Sequence, residues 1–567
     1  MTFSARWKVW GAASNLDPDS SVSHHGSPKR TGSTMNRLQP HKTLCATCLT
    51  VFLGALLPDI LAQHPTGRKP APTALEDPPP IRREFRGLWV ATVGNIDWPS
   101  APGLPAAQQQ AELVALLDKA VAMRLNAVLL QVRPSCDSLY RSRLEPWSEY
   151  LSGTMGVPPS PPYDPLEFAI REAHLRGLEL HAWFNPFRAR YALAKSLPAA
   201  SHITKTRPQW IRRYGNLEWL DPGLPEVQDY SLSVVHDVLQ RYDVDAVHFD
   251  DYFYPYPDAT LKNAEFPDSK SYEAYKQRGG TLNRSDWRRD NVNRFIESLY
   301  CLVRCNKPWV KVGISPFGIW RPDNPRGVKG LDAYESLAAD ARLWLKKGWL
   351  DYAAPQLYWR MDSKEQSFQA LLRWWTEQND MDRHIWPGMA SANLSKTWKP
   401  EEIKGQIALT RSQKGSTGHV HWGANVLFSR TNSFDGWIRN HSYTEPALVP
   451  ASPWLDKEIP PSPVVGAKFN KGRWNVTWSA PSINTNSPIS RWVVQVRRTN
   501  SWTTTILPAS ATSFLIPQLA KSQAPLAVAV TGVSRTGIAS KAETLSLALK
   551  NSGPKPAESH TDLPKTK

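Results

Sequence analysis

The sequence predicts an α/β protein: a (β/α)8 TIM barrel followed by a small all-β sandwich of the immunoglobulin-like or fibronectin type III kind. Over residues 84–442, eight short runs rich in β-branched and aromatic residues alternate with amphipathic helical stretches, as in proteins with a parallel sheet. Over residues 464–548, short alternating runs follow one another with turn signals and no helical pattern. At 567 residues the chain is long enough for both domains.

The N-terminal residues are interpreted as a targeting segment and a linker. A basic stretch from Met35 precedes the apolar run 44–57, and Ala62 offers a small residue near a cleavage point. This order is typical of a secretory signal peptide, and the run is too short to span a bilayer. Residues 1–63 are therefore predicted to be an N-terminal extension with a signal peptide, and the Pro-rich residues 64–83 a linker. The expected location is secreted or periplasmic.

The barrel prediction depends on eight strand-like runs, each followed by a helical stretch. Apolar residues at three- and four-residue spacing mark the helices, as in residues 108–125. A doubly wound open sheet is the alternative, but no Gly-rich phosphate-binding fingerprint follows the first run. The eight runs are residues 85–93, 126–134, 178–187, 245–252, 310–318, 351–359, 384–390 and 419–426.

The residue composition and pattern change in the C-terminal part of the sequence. Residues 443–463 are Pro-rich and are interpreted as a second linker. The stretches "WNVTWSAP" (474–481) and "VAVTGVSRTGIAS" (528–540) resemble the early and late strands of a fibronectin type III domain. The polar tail 549–567 is predicted to be disordered.

Charge and cysteine content narrow the class of protein. The net charge of +17 favours contact with polyanions or anionic membrane surfaces, and a secreted protein near an acidic cell wall has the same bias. Peripheral association with the cell envelope is therefore expected. No zinc-finger spacing, basic zipper or long Lys/Arg block occurs, so no nucleic-acid partner is predicted. Cys301 and Cys305 are interpreted as buried small apolar residues rather than a disulfide or a metal site.

Polar and aromatic residues follow the predicted strands at the end where TIM barrels carry their chemistry. Aromatic rings stack on sugar faces, and amides, Arg and carboxylates bind hydroxyl groups. The substrate-binding candidates are Trp98, Arg133, Trp183, Asn185, His248, Tyr252, Ser315, Gln356, Tyr358 and Trp422. Three histidines, His181, His248 and His421, come from separate strands without a helical H-x-x-x-H pair, so neither a metal nor a cofactor is predicted.

Two adjacent carboxylates stand out in "VDAVHFDDYFYPYP" (244–257). Adjacent strand residues point to opposite faces, so His248 and Asp250 share the inward face and Phe249 faces the helices. Asp251 is then expected to turn with the loop. Repulsion within the pair raises at least one pKa, which suits acid–base catalysis at a glycosidic bond. A helix-capping or loop-closing pair is the structural alternative.

Glycoside hydrolysis normally needs a second carboxylate, ~5.5 Å away for retention and ~6.5–9.5 Å away for inversion. No carboxylate ends strands five to eight. Asp97, in "GNIDWPS" just past strand one, is included with Asp250 and Asp251 among the catalytic candidates. The choice stays open between Asp97, Asp137, Asp323, Asp362 and Asp251 itself.

Six ordered motifs together resemble glycosyl hydrolase-like family 10, long called domain of unknown function 187, over about residues 84–430. They are "EFRGLWVATVGNIDWPS", "LNAVLLQVRPSCDSLY", "LELHAWFNPFR", "VDAVHFDDYFYPYP", "VGISPFGIWR" and "YAAPQLYW". The resemblance implies a TIM-barrel, glycosidase-like bacterial protein that is secreted or lipid-anchored, with some members linked to peptidoglycan glycan strands. The family motif "FDDYFYP" maps onto Phe249 to Pro255 and supports Asp250 and Asp251 as the acidic centre. The chain departs from the family in lacking a lipobox and in its added β-sandwich.

Two functions are therefore carried forward. The first is a secreted glycoside hydrolase that acts on a bacterial cell-envelope glycan, either peptidoglycan glycan strands or a related polysaccharide, by carboxylate acid–base or nucleophilic catalysis. The alternative is a non-catalytic glycan-binding cell-wall protein on a glycosidase-like barrel. A nucleic-acid binder is a third class that rests on charge alone.

Overall fold

The computed structural model describes residues 77–262, 264–395, 397–428, 434–481, 488–499, 501–517 and 524–547. The predicted signal peptide, most of the first linker and the predicted disordered tail lie outside these residues. Within the described ranges, no helix combines the length and apolar character needed to cross a bilayer.

Strands and helices follow one another up to His441, and strands alone follow in the described residues after it. The strands are β1 Phe85–Val90, β2 Ala127–Arg133, β3 Glu179–Phe184, β4 Arg188–Arg190, β5 Ile211–Tyr214, β6 Leu217–Leu220, β7 Ala246–Phe249, β8 Lys311–Ile314, β9 Tyr352–Ala353, β10 His384–Ile385, β11 Gly388–Met389, β12 Gly418–His421, β13 Val464–Asn470, β14 Arg473–Ser479, β15 Ile489–Arg498, β16 Ser501–Pro508, β17 Ser513–Leu515, β18 Ala527–Ser534 and β19 Glu543–Ser546. The α-helices are α1 Ala106–Ala122, α2 Glu149–Ser152, α3 Pro165–Leu175, α4 Ile203–Thr206, α5 Pro225–Arg241, α6 Ser269–Gln277, α7 Arg284–Asn306, α8 Ala333–Ser336, α9 Ala341–Lys347, α10 Phe368–Glu377, α11 Pro400–Ser412, α12 Ala424–Leu427 and α13 Phe434–His441.

The main sheet is parallel and has the order β10-β9-β8-β7-β3-β2-β1-β12-β11. Each of the eight predicted runs contributes to it, and the seventh run supplies both β10 and β11. β10 pairs with β9, and β11 pairs with β12. The two are separated by Trp386 and Pro387, and Pro387 has no N–H for a ladder hydrogen bond. The seventh run thus contacts the strands on both sides, which gives a (β/α)8-like barrel and confirms the barrel prediction.

At least one α-helix follows each of the eight runs that form the barrel, and the starts of several helices are encoded locally. The side chain of Asp164 accepts hydrogen bonds from the backbone N–H groups of Leu166 and Glu167, and Pro165 is the first residue of α3. Pro225 likewise begins α5. The cysteine prediction is wrong for α7, because Cys301 and Cys305 are exposed on this helix.

Insertions at the carboxyl ends of the strands build up one face of the barrel. After β3, the chain forms a small antiparallel sheet of order β4-β6-β5 before α5 begins. After β7, residues 250–283 form a long connection that includes α6. Active sites of TIM barrels lie at this end, so these segments surround the place where the candidate residues meet.

The C-terminal strands form two antiparallel sheets, of order β13-β14-β17 and β16-β15-β18-β19. Val476 and Trp478 of β14 pack in one core with Trp492, Val494 and Val528 of the other sheet. This part is all-β, as the strand pattern predicts. The sequence did not predict β13, because most of its residues are exposed and show little alternation of apolar and polar side chains.

Candidate active site

Asp250 enters the mouth of the barrel because of the strand alternation in β7. Phe249 packs its ring against Phe184 of β3 and Phe295 of α7, on the outer side of the barrel. The next residue therefore faces inward, as the alternation predicts. Asp250 follows β7 directly and is only 3% exposed.

Three hydrogen bonds from two side chains fix the Asp250 carboxyl group. The Asn185 side-chain amide donates to both oxygens, at 2.9 and 3.1 Å, and Trp183 Nε1 donates to Oδ2 at 3.3 Å. Burial raises the pKa of Asp250 from 3.8 to about 7, while the Arg188 guanidinium lowers it and Asp251 raises it further. Asp250 is thus a carboxyl group that holds a proton near neutral pH.

Asp251 is equally buried but has different partners. It is 2% exposed, and the Tyr256 hydroxyl donates to its Oδ2. Its Oδ1 has no hydrogen-bond partner within the described part of the chain. Burial raises the pKa of Asp251 to about 6. Burial thus favours the protonated form of both carboxyl groups, and the pKa is raised further for Asp250 than for Asp251.

Arg188 lies behind the doublet and leaves one donor unused. Its Nε donates to the Pro134 carbonyl at 2.9 Å, and its Nη1 donates to the Tyr252 hydroxyl at 2.8 Å. The Nη2 is buried and has no acceptor among the described residues. Buried polar atoms are normally paired, so Arg188 Nη2 and Asp251 Oδ1 fit a site that a ligand's hydroxyl groups complete.

Indole rings form the floor beside Asp250. Trp422 meets Trp183 and Trp89 edge-on, with ring centroids 6.3 and 6.4 Å apart. Trp422 is 8% exposed at the top of this cluster. Flat rings next to a carboxyl group are a common way to hold a pyranose ring.

His248 and Ser315 lie beneath this floor. Trp89 Nε1 donates to His248 Nε2 at 3.0 Å, and the Ser315 hydroxyl is 3.2 Å from the same nitrogen. His248 Nδ1 lies 3.0 Å from the Tyr352 hydroxyl. Burial holds the pKa of His248 well below its usual range, so the ring is neutral and anchors the floor.

Gln356 and Tyr358 lie next to Asp251. Gln356 Nε2 donates to the Ser315 carbonyl at 3.0 Å, and the Gln356 amide lowers the pKa of Asp251. Burial raises the pKa of Tyr358 well above its usual value, and the nearby Asp251 raises it further. Both side chains are half-buried, so they border the space above the carboxyl pair.

The structure does not bring Arg133 or Trp98 into this space. A register shift after Gln131 pairs Arg133 with the outward-facing Phe184. The Arg133 guanidinium is fully occupied by Glu145 and by the carbonyls of Asn185 and Pro186. Trp98 is 1% exposed, and its indole N–H donates to a carbonyl of α1 at 2.9 Å.

Asp97 closes a loop. Its Oδ2 accepts from the Ala91 N–H at 2.9 Å and its Oδ1 from the Asn425 N–H at 3.1 Å, although burial raises its pKa to about 6. The other second-carboxylate candidates are also engaged: Asp137 accepts from the Ser135 N–H, Asp323 accepts from the Gly327 N–H, and Asp362 pairs with Arg360.

Sequence reasoning gave no role to two residues of this site: Trp89 and Tyr256. Trp89 lies inside β1 rather than after it, so a search of strand ends passes over it. Tyr256 lies in the quoted aromatic run, but only the loop path brings it to Asp251.

The three histidines of the strand ends do not meet at one point. His181 and His248 both contact the Tyr352 hydroxyl, whereas His421 contacts Tyr443 and Ser391. No potential metal-binding cluster of three His, Cys, Asp or Glu side chains occurs within the described ranges.

Comparison with known proteins places the barrel in a family. The model of the Glycosyl hydrolase-like 10 family matches residues 84–403. Glycosyl hydrolase YngK of Bacillus subtilis (strain 168) is 40% identical over 398 residues, which cover 67% of this chain and 76% of that protein. Glycosyl hydrolase DigH of Escherichia coli (strain K12) is 36% identical over 345 residues, 56% of this chain and 75% of that protein.

Among solved structures, the PgaB glycoside hydrolase domain of Bordetella bronchiseptica is 15% identical, with a TM-score of 0.44, over 65% of this chain and 100% of that domain. The family match spans more than half of the 567 residues, and the identity to YngK extends over most of that protein. The chain therefore belongs to the Glycosyl hydrolase-like 10 family.

Proposed function

We propose that this protein is a secreted glycoside hydrolase that cleaves a bacterial cell-envelope glycan, either peptidoglycan glycan strands or a related polysaccharide. The observation that carries the proposal is the buried Asp250 carboxyl group, whose pKa is raised to about 7 beside an indole floor at the barrel mouth. A carboxyl group that stays protonated near neutral pH can protonate a glycosidic oxygen as the leaving group departs. The relatives named glycosyl hydrolases in Bacillus subtilis and Escherichia coli support the same reaction class.

The two carboxyl groups take different roles in this proposal. Asp250 donates the proton, since its amide and indole partners hold it in one orientation. Asp251, whose lower pKa of about 6 leaves it ionised at neutral pH, stabilises the developing positive charge on the sugar. Trp183 and Trp422 stack on the sugar, while Arg188, Tyr252, Gln356 and Tyr358 bind its hydroxyl groups. Asn185, His248 and Ser315 hold these groups in place from below.

Envelope location is supported by the signal-like N-terminus and by the charge of +17, which suits acidic cell-wall polymers. The same features fit the second candidate, a non-catalytic glycan-binding protein. One structural observation favours it: Asp97, the sequence candidate for a second carboxylate, is bound to two backbone N–H groups.

Product release separates the two functions. The full chain is incubated with peptide-free glycan strands, and new reducing ends are measured for wild type, Asp250→Asn and Asp362→Asn. Asp362 is exposed and paired with Arg360, so its variant is the matched control. We expect release by wild type and Asp362→Asn, and a loss of about 100-fold or more in Asp250→Asn with binding retained. Binding without release in all three proteins would establish the second function.

A further inference from the structure

A cavity of about 250 Å³ lies at the opposite end of the barrel from Asp250. Its walls include the residues just before β2 and β3, so it belongs to the amino-terminal end of the strands. Thr504, Thr505 and Ile506 of β16 form the wall contributed by the C-terminal sheets. The cavity thus lies where the barrel and the all-β part meet.

The lining of this cavity is positively charged. The lining residues include Arg124, Arg176 and Arg491 and no Asp or Glu. Arg176 is neutralised by Asp118 and Glu172, at 2.6 and 2.7 Å. Arg124 and Arg491 have no carboxylate within 4.0 Å in the described part of the chain, so two cationic charges remain uncompensated at short range.

Arg491 is the unusual member of the set. It is 7% exposed, and among the described residues its guanidinium donates to the Gly177 carbonyl and the Ser490 hydroxyl, at 2.7 and 3.3 Å, and to no other acceptor. It lowers the pKa values of Glu179 and Asp245, but each of these carboxylates already has its own cation. A buried charge without a partner is costly, and an anion in the cavity would remove that cost.

Arg124 approaches from the barrel side in a conformation that few residues adopt. Its φ is 62°, a left-handed value that is rare for a long side chain. In this position its Nη1 donates to the Tyr443 carbonyl at 2.7 Å. Arg124 thus contributes to the cavity lining from the barrel side, whereas Arg491 contributes from the all-β part.

We propose that this cavity is a binding site for an oxyanion, a phosphate or a carboxylate, carried by an anionic polymer, and that Arg124 and Arg491 are its ligands. A guanidinium presents parallel N–H donors that match both kinds of oxyanion. The site holds the protein on an acidic surface while the barrel mouth, at the other end, stays open. It does not depend on catalysis.

Thermal unfolding of the full chain tests the site. The midpoint is measured in sodium phosphate, in sodium glucuronate and in sodium chloride at equal ionic strength, for wild type, Arg491→Gln, Arg124→Gln and the control Arg473→Gln. Arg473 begins β14, is exposed and lies outside the cavity lining. A ligand that binds the folded state alone raises the midpoint with its concentration. We expect at least one oxyanion to raise it above the chloride value, with an apparent affinity roughly tenfold weaker in both cavity variants and unchanged in the control.

The phosphate and glucuronate series identify which oxyanion the site prefers. The proposal is overturned if neither raises the wild-type midpoint above the chloride value at up to about 100 mM, or if the control loses as much as the cavity variants. Should Arg491→Gln fail to fold, Arg124→Gln carries the test, since it changes the other wall. No outcome bears on the hydrolase proposal, because no glycan is cleaved in the measurement.

Discussion

Asn185 donates through its side-chain amide to both carboxyl oxygens of Asp250, at 2.9 and 3.1 Å. The Asn185 side-chain oxygen accepts from the Arg188 N–H at 2.7 Å, so the amide cannot turn over without losing that bond. The carboxyl group is therefore held in one orientation by a residue that the following turn holds in place. Fixed orientation and burial together make Asp250 a defined proton donor.

The pKa values of the doublet predict a narrow pH optimum for glycan cleavage. Asp250 must be protonated, so activity falls as the pH rises above about 7. Asp251 must be ionised, so activity also falls as the pH drops below about 6. Initial rates of reducing-end release at saturating substrate should therefore give a bell-shaped curve. A rate that stays constant from about pH 5 to pH 9 would remove the doublet from the mechanism.

The positive charge of Arg188 affects the pH at which activity falls on the alkaline side of that curve. Because the guanidinium lowers the pKa of Asp250, its loss raises that pKa further. Arg188→Gln should move the alkaline limb to higher pH, whereas Arg188→Lys, which keeps the charge, should leave it near the wild-type position. The pH–rate profiles of the three proteins are compared. If activity fell at the same alkaline pH in the Gln and Lys variants, the hydrogen bonds of Arg188, and not its charge, would determine the pKa of Asp250.

The raised pKa of Asp250 also predicts that this residue lowers the free energy of unfolding near neutral pH, although the same shift benefits catalysis. The folded protein binds the Asp250 proton up to about pH 7, whereas an unfolded chain releases it near 3.8. The unfolded state is thus favoured progressively as the pH rises between these values, by at most on the order of 4 kcal/mol for the pKa of about 7. Urea denaturation should show Asp250→Asn gaining stability relative to wild type from about pH 4 to pH 7, with no further gain above. A difference that is independent of pH would show that the carboxyl group is not perturbed in the folded state.

The inward register of Asp250 was readable from the sequence because residues 247–250 alternate apolar and polar side chains. The eight-run pattern likewise predicted the barrel, since βα alternation leaves few other arrangements. Arg133 illustrates what a pattern misses. It stands two residues after the inward Gln131, but the register shift between them turns it outward. Such irregularities depend on contacts from neighbouring strands, which no local pattern contains.

The positions of loop residues also could not be predicted from a local sequence pattern. Asp97 and Trp98 lie in the loop after β1, which ends at Val90. This loop folds back, so the Trp98 indole packs on α1 and Asp97 binds the backbone of α12. Tyr256 stands five residues beyond Asp251, and its loop returns it to that carboxylate. The path of a loop is set by what it packs against, so sequence proximity to a strand end predicts the neighbourhood of the site but not its members.

The burial of Arg133 turns it from a ligand candidate into a structural element whose removal has a measurable cost. Its Nε lies 2.8 Å from Glu145 Oε2, and both side chains are almost fully buried. Glu145→Gln leaves a buried cation without its counter-charge, and we expect a loss of about 3–5 kcal/mol in the free energy of unfolding. The matched control is Glu365→Gln, which breaks an exposed pair with Lys329 and should cost less than about 1 kcal/mol. Urea denaturation at pH 7 compares the two variants. If both changed stability equally, Arg133 would have to be solvated in the folded state, and a contact with substrate would again be open to it.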